Sequence, residues 1–258
     1  MSFFATIFNE VFFRPLLNAL VFLTGVLPSH DLGFAVIILT ILVRFVLFPF
    51  THHSIKAQTK MRSLEPEIAR IRDEHKNNQE EQARRTMALY KEHGVNPFSG
   101  CVMLIIQLPL LIALYQVFLV GVGDMNKYLY PFVSLPSSLD TIFLGVINLT
   151  EASIFLAALS GLTQFIQMKL AVPTLVAKLA LPASTQQKPD ISRMMTAQMT
   201  YVMPGIIFVI GIQFPAAVSL YWTTMNLFAI VHEMIVRKKA EAIRMTHEHE
   251  PKQELKNI

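Results

Sequence analysis

The chain has 258 residues, of which 53% are hydrophobic and only 16% charged, and that excludes an ordinary soluble domain. The net charge of +4 is unevenly placed, because one stretch runs 38 residues without a charged side chain. A single cysteine, Cys101, leaves no partner for an internal disulfide.

The first thirty residues are largely apolar but are interrupted by Asn9, Glu10, Arg14 and Asn18. Glu10 and Arg14 stand i,i+4 and can pair on one helical face. No basic region precedes the apolar stretch and no small-residue cleavage site follows it, so a cleavable signal is not expected. Residues 1–30 read as an amphipathic helix lying in the outer interface, with a sixth span as the alternative.

The first span is expected over residues 32–50, with Arg44 in its middle. A charge at that depth costs at least about 2.5–3.5 kcal/mol unless water or a partner receives it. Arg44 either faces a wet cavity or snorkels to the nearer interface, roughly 9 Å away along the helix. Thr40 lies one turn earlier on the same face.

Residues 51–99 form the largest polar segment. Met61, Leu64, Ile68 and Ile71 recur with helical spacing, and so do Ala83, Met87 and Tyr90, on either side of a polar turn at 75–79. The pattern predicts two helices folded into a cytoplasmic hairpin over residues 54–94, with Ile55 near its root and Pro66 interrupting the first arm.

Uncharged runs at 101–123, 152–168 and 194–231 supply the remaining spans. They are expected at 100–122, 152–169, 198–214 and 216–236, the last two separated at Phe214-Pro215, since proline disfavours helix in the residue before it. Gln107 and Gln164 fall inside spans, about 10 Å and roughly 7–8 Å from their cytoplasmic ends by helix rise. For each glutamine a hydrogen bond between helices is the simpler account. Segment 123–150 is too apolar for a free loop and too broken by proline to cross, so it is placed against the outer membrane surface. The Asn148-Leu-Thr150 sequon is discounted. Residues 170–193 read as a flexible loop, and the charged tail 238–258 as disordered.

The positive residues set the orientation. Segment 51–99 holds nine, 169–197 four and the stretch after 236 six, which is 19 of the 22 in the chain. Five spans put all three segments on one side, so the N-terminus lies outside and the C-terminus in the cytoplasm. No Walker motif, metal-ligand set or catalytic triad stands out, so neither an enzyme nor a cofactor is expected.

Thr40-Ile-Leu-Val-Arg44, Pro49, Met87-Ala-Leu-Tyr-Lys91, Val95-Asn-Pro97, Gly100-Cys101, Leu104-Ile-Ile-Gln-Leu-Pro109 and Ala113-Leu-Tyr115 occur in this order. Met203-Pro204, Phe214-Pro215, Tyr221 and Asn226 follow. Together they resemble the YidC/Oxa/Alb family of membrane protein insertases over residues 30–237. The resemblance implies an all-α polytopic membrane protein, with five transmembrane helices around a hydrophilic groove open to the cytoplasm and to lipid. Its core would span residues 31–237. Arg44 would be the groove arginine, with Thr40, Gln107, Gln164, Tyr221 and Trp222 along the substrate path. The hairpin, through Ile55, Met61, Leu64, Ile68, Met87 and Tyr90, would receive clients or targeting factors.

The implied partners are nascent membrane proteins with short, often acidic extracytoplasmic tails, the ribosome, the signal recognition particle receptor, the Sec translocon and the lipid bilayer. The best fit is a minimal member of the bacterial plasma (inner) membrane, without the large periplasmic domain of Gram-negative relatives. Two other classes compete. A channel or anion transporter would use Arg44 as its binding site, but calls for inverted repeats that are not visible. A passive anchor for a cytoplasmic coiled coil leaves Arg44 unexplained.

Overall fold

Proline decides where several helices widen, bend and stop. The computed structural model describes residues 3–76, 78–96, 99–136, 138–171 and 198–249, so most of the expected loop 170–193 and residues 250–258 lie outside it. Helix α1 (Phe3–Val26) contains a π-helical turn at Asn9–Phe13, and α8 (Gln198–Gly211) opens with another at Gln198–Val202. Each turn ends two residues before a proline, Pro15 or Pro204. A proline cannot donate to the carbonyl four residues back, here Val11 or Thr200, and both carbonyls lie within the widened turns.

The same chemistry shortens the first expected span. Helix α2 (Leu32–Val46) stops before Leu47, and α3 (Phe48–Ser63) departs at 64°. Pro49 has no N–H for the Phe45 carbonyl and its ring crowds it, so the ladder breaks there and not at residue 50. Beyond Leu64 come α4 (Glu65–Glu74), with Pro66 in its first turn, and α5 (Gln79–Glu92), capped by Asn78 Oδ1, which accepts from Glu81 N at 3.0 Å. Helix α6 (Ser99–Asp124) keeps Pro109 inside it. A 3-10 turn (Met125–Tyr128) leads to a two-stranded antiparallel hairpin, β1 (Ile142–Phe143) and β2 (Ile147–Asn148). Then follow α7 (Ile154–Ala171), α8 and, across the expected break at Phe214-Pro215, α9 (Ala216–His249). Helix α9 does not fray at 236. Between Val236 and His249 there is no glycine or proline, and the alternating alanines, lysines, arginine and glutamates favour helix.

Helix α9 packs along α7 and α2, α8 lies on α7, and α1 leans on α2 and α6. Small residues let these helices approach. A Cβ at Gly211 would collide with Ala157 of α7 and Ser219 of α9. The shared core holds Leu17, Leu20, Val36, Val117 and Leu149, all fully buried. One end of this bundle is organised by the β-hairpin. Asp31 caps α2 by accepting from Gly33 N (2.6 Å) and Phe34 N (3.3 Å), and its second oxygen takes Leu144 N at 3.4 Å. Leu32 N donates to Asp140 O (2.9 Å), and Ala216 N to Glu151 O (2.7 Å), so α2 and α9 start at one level.

By length and apolar composition, α1 alone among the described helices is sufficient to cross a membrane, and α2 passes with the start of α3 only as a bent pair. Segments 107–120, 154–170 and 198–211 are shorter apolar helices. The polar residues of α1 are used internally. Arg14 pairs with Glu10 at 2.9 Å, and Asn18 donates to Tyr128 O (3.1 Å) while accepting from Tyr130 N (2.7 Å).

The segment expected to form a hairpin, residues 54–94, folds back on itself. Leu64, Ile68, Leu89 and Val95 form its core, with Met61, Ile71 and Tyr90 against them, apart from the core of the bundle. Two residues are corrected: Ala83 is exposed and Met87 half exposed, and Leu89 takes the buried place. Helix α5 is therefore rotated from the predicted 83-87-90 stripe toward a face that includes Leu89.

Candidate functional site

Arg44 is 9% exposed on the inward face of α2. It makes no hydrogen bond or ion pair among the described residues, and it lies within electrostatic range of Tyr221 and His232 on α9. Thr40, one turn away, is buried and spends its hydroxyl on Val36 O at 2.6 Å. Thr40 and Tyr221 share a small void walled by Leu39, Val43, Leu110, Leu114 and, from α1, Leu16. Gln107 Nε2 donates to the Tyr221 hydroxyl at 2.6 Å, tying α6 to α9. Gln164 is buried on α7, and its amide donates to Gln167 Oε1 at 3.2 Å. Trp222 is partly buried and packs against the apolar core.

These residues form a ladder, not one layer. Counted from the β-hairpin end, Tyr221 lies roughly 8 Å along α9, Thr40 roughly 12 Å along α2, Gln164 roughly 15 Å along α7 and Arg44 roughly 18 Å along α2. Tyr221 draws Gln107 toward the β-hairpin side of Arg44. A second polar link runs beside it: Asn226 Nδ2 on α9 reaches Ser160 O (3.3 Å) and Thr163 Oγ1 (3.2 Å) on α7. Asn226 and Thr163 match in depth, so they fasten the wall that carries Gln164.

Sequence reasoning missed the neighbours of Arg44 at the other end. His232 and Glu233, on the stretch of α9 where the last span was expected to end, are both buried, at 6% exposed each. The cause is the bend at Leu47, which brings α3 against α9. His52 Nδ1 lies 3.2 Å from His232 Nε2, with the rings 11° from coplanar and 5.5 Å between centroids. That separation is about the nitrogen-to-nitrogen distance plus two ring radii. The contact is therefore edge to edge, with one proton between the nitrogens. Phe48 stacks on His232 at 4.7 Å and Phe228 closes the cluster. The only trace in the sequence is a histidine three residues after Pro49.

On the hairpin arm, Glu81 accepts from Arg84 (2.9 and 2.8 Å) and Arg85 (2.8 Å), which lowers its carboxyl from 4.5 to about 2. Arg84 is raised in turn by the same bond. Among the described residues no group of three or more metal-ligating side chains comes together.

A profile of the 60Kd inner membrane protein family matches residues 22–243. The chain is 27% identical over 235 residues to membrane protein insertase YidC 2 of Bacillus anthracis, covering 90% of this chain and 81% of that protein. It is 31% identical over 211 residues to membrane protein insertase YidC of Fusobacterium nucleatum, covering 81% and 87%. Against membrane protein insertase YidC of Pelobacter propionicus it is 28% identical over 225 residues, which is 87% of this chain but 38% of that longer protein.

Proposed function

Because this chain belongs to the 60Kd inner membrane protein family, we propose that it is a membrane protein insertase and chaperone of the bacterial plasma membrane. Clients enter a hydrophilic groove that presents Arg44. The observation that carries this reading is Arg44 itself, buried in the last turn of the apolar helix α2 without a hydrogen bond or ion pair among the described residues.

In this reading five spans are built from α2, α6, α7, α8 and the first part of α9, with the β-hairpin end outside and the arms α3–α5 in the cytoplasm. Helix α1 lies at the outer interface, and residues 238–258 form a basic cytoplasmic tail. The physical task is to carry a polar segment across about 30 Å of hydrocarbon. A groove open to the cytoplasm shortens that path, and the field of Arg44 favours acidic residues of the entering tail. The ladder of Gln164, Thr40, Gln107 and Tyr221 offers hydrogen-bonding groups beyond it, with Trp222 as an apolar contact. The client's own spanning helix then partitions into lipid, worth about 25 cal/mol per Å² of apolar area. The arms and the basic tail meet the ribosome, the signal recognition particle receptor or the Sec translocon.

The test is depletion of the protein in cells, followed by protease protection of small single-span clients. Clients with acidic outer tails should remain protected from external protease when the protein is absent. Unchanged insertion of every such client would overturn the reading.

A further inference from the structure

The β-hairpin carries a residue that breaks two local preferences at once. Val146 N donates to Phe143 O at 3.1 Å across a tight turn, and both central residues have positive φ, Leu144 at 54° and Gly145 at 70°. Such turns favour asparagine or aspartate before the glycine, because a short polar side chain tolerates the left-handed region. Here a leucine occupies it and is 63% exposed, flanked by Val146 at 82% and Ile142 at 45%. Water gives no reason for an apolar side chain at a strained, exposed turn.

The surroundings are made for an apolar medium. Residues 141–147 carry no charge. Of the two acids beside the turn, Asp31 is buried, caps α2 and takes Leu144 N, while the exposed Asp140 accepts from Ile142 N at 2.8 Å. Phe143, on the opposite face of β1, is buried against Gly33 and lies 5.5 Å from Phe34 of α2. The hairpin is thus clamped to the bundle on one side and turns its apolar side chains away from it. Ile154 and Phe155, at the start of α7 a few residues later, are exposed as well.

We infer that the turn Leu144-Gly145-Val146 is a lipid anchor that dips into the outer leaflet and fixes the height of α2, α7 and α9 in the bilayer. The anchor follows from hydrogen bonds already described, since the hairpin is tied to the first residues of α2 and α9. The inference rests on the β-hairpin end lying outside, as proposed above.

The test uses the full chain in lipid vesicles, with Cys101→Ser and one nitroxide label at Leu144→Cys, Val146→Cys or, as the water-facing control, Lys127→Cys. Labels at 144 and 146 should collide more with dissolved oxygen than with a water-soluble nickel chelate, the reverse of the label at 127. Equal access of the chelate to 146 and 127 would overturn the anchor. So would dipolar coupling between labels at 146 on separate copies, which would assign the patch to a second chain. A membrane-impermeant reductant keeps the two proposals apart. If it fails to reach 127 from outside, the orientation is wrong; if it reaches 127 while 146 behaves as water-exposed, only the anchor is.

Discussion

Arg44 is held by position and not by a bonded partner, so its charge should matter more than its shape. Arg44→Lys should keep most insertion of acidic-tailed clients, whereas Arg44→Ala should lose about tenfold, the equivalent of roughly 1.4 kcal/mol. Client insertion in vesicles checks this, and full activity of the alanine variant would sink the electrostatic account. Glu81 gives a second prediction outside the membrane. Its carboxyl sits at about 2 in the fold against an ordinary 4.5, through Arg84 first and Arg85 next. A depressed carboxylate contributes fully above its unfolded value and loses that contribution as pH falls through the folded one. The α5 arm should therefore begin to loosen below pH 4.5 and finish near 2, modestly, because the group is exposed. A carboxyl chemical-shift titration of Glu81 at the ordinary value would contradict it.

At the scale of elements, two joints govern the arrangement. The first is Gly33 beneath Phe143: a methyl at residue 33 has nowhere to go, so Gly33→Ala should cost about 1–3 kcal/mol by overpacking. In a Phe143→Ala background the same Gly33→Ala change should cost less, and thermal melts of the two single variants and the double would show whether it does. The second joint is the edge-to-edge pair of His52 and His232, which ties the root of the arms to α9. His52→Ala should raise the mobility of a label in α4 while leaving the bundle's melting temperature nearly unchanged. The arms themselves share a small core, Leu64, Ile68, Leu89 and Val95, distinct from that of the bundle. Removing the tip at residues 72–82 should accordingly spare the bundle and impair delivery of clients. Loss of a folded detergent-extracted protein would make the arms structural instead.

For the whole molecule, the prediction is topology. The distribution of lysine and arginine puts Lys76 inside and Lys127 outside. Single cysteines at those positions should react with an impermeant reagent from opposite faces of the membrane. Access to residue 127 from the cytoplasmic face alone would invert the arrangement.

The helical class, the break at Phe214-Pro215, the folded-back arms and the placing of Arg44 among apolar neighbours were legible in the sequence. Each follows from local chemistry: runs without charge, a proline without an N–H, a stripe at helical spacing, a charge among apolar neighbours. The family resemblance was legible for the same reason, since its motifs are short and contiguous. Other features needed the tertiary structure. The rotation of α5 that buries Leu89 in place of Met87 depends on which face α4 offers. The burial of His232 and Glu233 depends on α3 turning back at Leu47, and the Gln107–Tyr221 bond joins residues 114 apart. No local pattern encodes such pairings. They are fixed only when the helices pack and side chains far apart in the sequence meet.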